Sequence, residues 1–137
     1  MENYKKMILL DSCYIVSLVV DTEEEHERAL ELFEKLEGKE LVITNVILIE
    51  TINLLLKRLN KNTKAITEVY NTIKDEFKII YENEELTERA MQTLIKYKAS
   101  IGLADALNIE TMKDLNIYEI FSFDEDFDNK EKVIRVH

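Results

Sequence analysis

Proline and tryptophan are absent from this 137-residue chain, glycine occurs only twice and cysteine once. A chain so poor in turn residues is not a turn-rich β-sandwich, and two glycines cannot build the GxGxxG or GxxxxGKS/T loops that cradle nucleotide phosphates. Cys13 alone forms no intramolecular disulfide, so a reduced cytoplasmic setting is expected. With only His26 and His137 there is no His/Cys set for a zinc site. His26 reads as a solvated helix residue and His137 as a loosely held terminal one. Cys13, with no nearby histidine to activate it, reads as packing. Long apolar runs are missing too. Asp11 interrupts the segment after Lys5 and Lys6 well short of a signal peptide, and nothing approaches a bilayer span, so no membrane association is expected.

What is present is charge and aliphatic bulk: 46% hydrophobic and 34% charged residues, with 28 acids against 18 Lys and Arg and a formal net charge of −10. That balance opposes nonspecific attraction to polyanions, so an RNA partner would need local basic patches. Candidates are Lys57, Arg58, Lys61 and Lys64, and again Lys96 and Lys98; singly, each reads as part of a solvated helix face. The length fits one domain spanning residues 1–137.

Met7 to Leu10 form a continuous apolar run typical of a buried strand, and Asp11 or Ser12 can cap a helix beginning near Cys13. Ala29, Leu30, Phe33 and Leu36 predict a helix over Thr22 to Glu37, stopped by Gly38. A strand at Leu41 to Ile43 precedes a helix capped by Thr44 or Asn45 and reaching about Asn60. Helices over 63–76 and 84–97 flank strand-like FKIIY at 77–81. A helix carrying Asp105 follows Gly102, then strands at 117–123 and 133–136. This alternation predicts an α/β fold in three layers, helices on both faces of a parallel sheet of about four or five strands.

Four acids sit where apolar segments meet helices or turns: Asp11 in ILLDS, Glu50 in VILIET, Asp105 in GLADAL and Asp124 in FSFDEDFD. Desolvating a carboxylate is costly unless it pairs with a cation or a proton, and a shared divalent ion would account for all four. Hard ions such as Mg²⁺ and Mn²⁺ take oxygen ligands and can activate water for phosphodiester hydrolysis. The competing account is that Asp11 and Asp105 are ordinary helix caps in a chain rich in acids. Glu50 resists it better, because apolar residues surround it in sequence.

Taken in order, LLDSCYIV, ITNVILIET, GLADALNIETMKDLNI and IFSFDEDFD resemble the PIN domain family, in particular the VapC-type toxins of type II toxin-antitoxin pairs. The resemblance spans nearly the whole chain. It implies the α/β/α fold and a Mg²⁺- or Mn²⁺-dependent endoribonuclease in which Asp11, Glu50, Asp105 and Asp124 hold metal and position the attacking water. Thr44 and Ser122 match small hydroxyl positions near the pocket. Asp126 and Asp128 compete with Asp124, which is preferred because it directly follows the strand. Structured RNA such as tRNA or rRNA is the implied substrate, a cognate antitoxin the implied partner and a homodimer the implied assembly. Two other readings stay open: a PIN-like protein-binding module with little catalysis, and an RNA-processing nuclease outside any toxin-antitoxin pair.

Overall fold

A computed structural model describes residues 5–137. Five parallel strands form one sheet: β1 (Met7–Leu10), β2 (Glu40–Thr44), β3 (Lys78–Ile80), β4 (Glu119–Phe121) and β5 (Ile134–Val136), in the order β3-β2-β1-β4-β5. Six helices connect them: α1 (Ser12–Val19), α2 (His26–Phe33), α3 (Asn45–Arg58), α4 (Thr63–Glu76), α5 (Glu84–Lys96) and α6 (Leu103–Leu115). The chain moves outward from β1 through β2 to β3, then crosses back over the sheet to β4 on the other side of β1. Right-handed crossovers in opposite directions put their helices on opposite faces. The packing groups agree: α1 contacts α2 and α3, α3 contacts α4, and α5 pairs with α6.

This order makes the β1/β4 seam the point where the chain reverses direction across the sheet. In open α/β sheets the crevice beyond the strand ends at such a point is where ligands bind. Asp11 immediately follows β1 and Ser122 immediately follows β4, and the Asp11 amide donates to the Phe121 carbonyl at 3.0 Å across the seam.

Sheet and helices enclose one main core in which Leu9, Leu10, Val42, Ile43, Ile109 and Ile120 are buried. Helix α6 is buried without interruption from Ala106 to Met112, so an element with acids and amides in its sequence is held rigidly against the sheet. Asn116 in the left-handed region (φ 54°) ends it.

The helix expected over Thr22 to Glu37 is shorter. α1 ends at Val19, residues 21–25 form turns, α2 starts at His26, and a 3-10 turn (Glu34–Leu36) precedes Gly38 at φ 75°. Glu23 is drawn off to pair with Arg58 of α3 at 2.6 Å, and His26 is half-buried, with Nδ1 at 2.8 Å from the Ser17 carbonyl. His26 is therefore a tether between α1 and α2 rather than a solvated residue. The backbone of His137 is likewise held, its carbonyl accepting from Arg28 at 2.9 Å. Among the described residues no helix is long and apolar enough to cross a membrane.

Candidate functional site

At the carboxyl end of β1, Asp11 caps α1: its Oδ1 accepts from the Ser12 amide at 2.9 Å. Its Oδ2 accepts from Ser122 Oγ at 2.7 Å and from Cys13 Sγ at 3.4 Å. The residue is only 5% exposed. Burial raises its pKa, the three hydrogen bonds oppose that rise, and the charge of Glu50 adds to it.

Glu50 lies on the second turn of α3 and is exposed, contrary to what its apolar sequence neighbours suggest. Residues adjacent in sequence point to different sides of a helix, and the buried side of α3 is carried by Ile47, Leu48, Thr51 and Leu55. Ser12 Oγ donates to Glu50 Oε1 at 2.7 Å, so two donors of one residue, its amide and its hydroxyl, organise both carboxylates.

Asp105 stands in the first turn of α6, after the N-cap Gly102, where the helix dipole favours an anion. Asp124 follows β4 and caps a 3-10 turn (Glu125–Phe127), its Oδ1 accepting from the Asp126 amide at 2.9 Å. Asp105, Asp124 and Asp126 each present an oxygen within 4.8 Å of the others. Asp105 is pushed up to about 7 by burial first, then by the negative charges of Asp11, Asp124, Glu50 and Asp126. Five carboxylates thus share one neighbourhood. Among the described residues, no ion pair neutralises any of them.

Asp128 is turned elsewhere. Its two oxygens accept from Arg135 Nε at 2.7 Å and Nη2 at 3.0 Å. The buried Phe127 side chain pins the turn between them.

The donor set fits a hard divalent cation: oxygens only, several anionic, on residues that range from half-buried to exposed. Like charges held this close without a counterion are otherwise costly. Thr44, wholly buried at the end of β2, accepts from the Ile47 amide at 3.2 Å and donates to Asn108 Oδ1 at 2.7 Å. Its hydroxyl locks α6 to the sheet one turn beyond Asp105.

A family profile, the PIN domain, matches residues 8–133. The chain belongs to the PIN domain family. Solved structures share its fold over nearly full length. VapC20 of Mycobacterium tuberculosis, a sarcin-ricin loop cleaving toxin, superposes with a TM-score of 0.79 at 20% identity, covering 92% of this chain and 98% of that one. FitAcB from Neisseria gonorrhoeae gives 0.71 at 16% identity, covering 96% and 97%. VapBC2 from Rickettsia felis, bound to a promoter DNA fragment, gives 0.69 at 16%, covering 95% and 97%. No curated protein sequence matches the chain significantly.

Within this PIN domain, the sequence pattern pointed to Asp11, Glu50, Asp105 and Asp124, and the family resemblance added Thr44 and Ser122. It gave Ser12 only a capping role and passed over Asn108 and Arg135. Ser12 is legible only as the neighbour of Asp11. Asn108 carries a weak signal, an amide in an otherwise apolar helical stretch. Arg135 carries another, a cation between Ile134 and Val136 in a strand.

Proposed function

We propose that this PIN domain protein is a divalent-metal-dependent endoribonuclease and the toxin of a toxin-antitoxin pair. The observation that carries the reading is the convergence of Asp105, Asp124 and Asp126 within 4.8 Å beside Asp11 and Glu50, with no ion pair among the described residues to balance them. Asp105, Asp124 and Asp126 would hold Mg²⁺ or Mn²⁺ directly, with Asp11 and Glu50 completing the set through remaining lone pairs. A bound ion would supply Lewis-acid stabilisation of the phosphoryl oxygens and a water acidic enough to attack phosphorus.

The protein's own part is placement. Ser122 fixes the Asp11 carboxylate, Ser12 fixes Glu50, and the Thr44–Asn108 bond sets the depth of α6 and hence of Asp105. The likeness to a toxin that cleaves the sarcin-ricin loop supports structured RNA, tRNA or rRNA, as the substrate class.

A protein partner is supported by a groove of about 660 Å³ between α1, β2 and α4, lined by Ile15, Leu18, Val19, Phe33, Val69 and Ile73. Glu68 and Glu76 also line it. An apolar groove with acidic residues on an acidic protein suits a basic, partly apolar antitoxin segment. A homodimer in a cytoplasmic setting completes the reading.

The test is cleavage of structured RNA by purified protein with Mn²⁺. Wild type should cut, chelator should stop it, and Asp105→Asn or Asp11→Asn should reduce cutting to the no-enzyme background while retaining the wild-type circular dichroism spectrum. Undiminished cleavage by either folded variant would remove that residue from the site. A wild type that cuts nothing yet binds a basic partner would favour a protein-binding module.

A further inference from the structure

The loop that carries Asp124 and Asp126 places two acids against Asp105, an arrangement that their mutual repulsion opposes. Its own backbone offers little resistance: one 3-10 turn, with the Asp128 amide donating to Glu125 at 2.9 Å and the Phe127 amide to Asp124 at 3.4 Å. A side chain on the last strand supplies what the loop lacks. Arg135 of β5, its side chain 8% exposed, grips Asp128 at two points, Nε to Oδ1 at 2.7 Å and Nη2 to Oδ2 at 3.0 Å. Its third nitrogen, Nη1, donates to the Ser122 carbonyl at 3.3 Å.

Both ends of the acidic loop are therefore held by one guanidinium. The planar fork allows this because three N–H groups can point at a carboxylate and a carbonyl together, which an ammonium cannot match in geometry. Ser122 passes the constraint inward: its Oγ donates to Asp11 at 2.7 Å and accepts from the Asp124 amide at 3.0 Å. Strand pairing fixes Arg135 in turn, since the Ser122 amide donates to the Val136 carbonyl at 3.2 Å.

We propose that Arg135 is a positioning residue for the metal centre, clamping the Ser122–Asp128 loop so that Asp124 and Asp126 face Asp105. Asp128 is its anchor and not a ligand. The inference rests on the metal reading above and extends it to a residue that does not face the metal.

The experiment is Mn²⁺ titration of the full chain, followed by electron paramagnetic resonance, for wild type, Arg135→Gln, Arg135→Lys, Asp128→Asn and the Arg135→Gln/Asp128→Asn double variant, each with a thermal melt. Loss of a residue that orients ligands typically weakens metal binding about 10–100-fold. That loss is expected for Arg135→Gln and for Asp128→Asn alike, with the double variant no weaker than either and Arg135→Lys in between. Cleavage by Arg135→Gln should recover at saturating Mn²⁺, which a general packing defect would not produce.

Unchanged Mn²⁺ affinity in folded Arg135→Gln, or in Arg135→Lys if the former does not fold, overturns the proposal. So does failure of both to fold, which would make Arg135 a folding residue. An additive further loss in the double variant would make Asp128 a ligand and overturn it as well. If wild type and Asp105→Asn bind Mn²⁺ alike, the metal reading itself fails and takes this inference with it.

Discussion

Ser122 gives its one hydroxyl proton to Asp11 and accepts the amide proton of Asp124, so the two acids on either side of the β1/β4 seam share a single small atom. Cys13 sits beside it, with Sγ at 3.4 Å from both Asp11 Oδ2 and Ser122 Oγ. Burial, followed by the Asp11 charge, pushes the Cys13 thiol up to about 12 from an ordinary value of 9.0. The thiolate is the reactive form, so native protein at pH 8 should be alkylated about a thousandfold more slowly than an ordinary exposed cysteine. Mass spectrometry of iodoacetamide-treated native and urea-unfolded protein checks this; equal rates would contradict the packing. At this scale the sequence was legible where a residue terminates a strand. Asp11 and Asp124 were both found because an apolar run stops at them or just before. Glu50 was found for a reason that fails in space: its apolar neighbours in VILIET turn to other sides of the helix, and Glu50 itself is exposed. That Asp126 would lie with Asp124 beside Asp105 had no signal, because distance from a strand end says nothing about how a 3-10 turn folds back. Here the turn is closed by the Asp126 amide on Asp124.

Helix α6 is the element on which the site depends most. It is buried through seven successive residues, Ala106 to Met112, and two of its polar groups are satisfied by specific partners. Asn108 takes the Thr44 hydroxyl proton, and Glu110 takes that of Thr93 in α5 at 2.6 Å. Arg89 of α5 grips Asp114 at its far end at 2.8 and 2.7 Å. Thr44→Val keeps the volume but removes the cap of α3, worth about 1 kcal/mol, and leaves a buried amide oxygen unpaired at a cost of about 1–3 kcal/mol. Urea denaturation should show destabilisation of about 2–4 kcal/mol; a change under 0.5 kcal/mol, within the usual range of surface substitutions, would mean that Asn108 finds another donor. The sequence disclosed that α6 exists and roughly where it starts, because Gly102 and the Asp-Ala pair mark its N-terminus. That Thr44 would reach across 64 residues to Asn108 had no local signature. The expected helix over Thr22 to Glu37 failed at its start for a related reason: Arg58, 35 residues away, claims Glu23, and Ser17 of the preceding helix claims His26.

Taken whole, the molecule stores like charge at one edge of its sheet, and this sets how stability responds to pH. The pKa of Asp105 is raised to about 7 from 3.8 and that of Asp11 is also raised, so the fold favours their neutral forms. That stabilisation is complete below about 3.8 and is lost as pH rises through about 7. Asp114 and Asp128, paired with Arg89 and Arg135, are shifted down, so their contribution is lost only as pH falls below 3.8. Metal-free protein should therefore melt at a lower temperature at pH 7.5 than at pH 5.5. Added Mg²⁺ should raise the melting temperature more at pH 7.5, where Asp105 is ionised without the ion's help. Calorimetry at the two pH values with and without Mg²⁺ checks both signs; a metal effect larger at pH 5.5 would refute this account. The sheet order itself was only partly legible. Strand-helix alternation announced parallel pairing, but which strands neighbour β1 depends on the long crossover through α5 and α6.

The hydrogen bond from Ser122 to Asp11 closes a loop of 111 residues. During synthesis Asp11 leaves the ribosome 111 residues before the serine that will fix its carboxylate. The acidic edge needs β4 beside β1, and beside β4 the strand β5 that carries Arg135. A chain cut before Arg135 would hold all five carboxylates of the cluster yet lack the guanidinium that grips Asp128 and the Ser122 carbonyl.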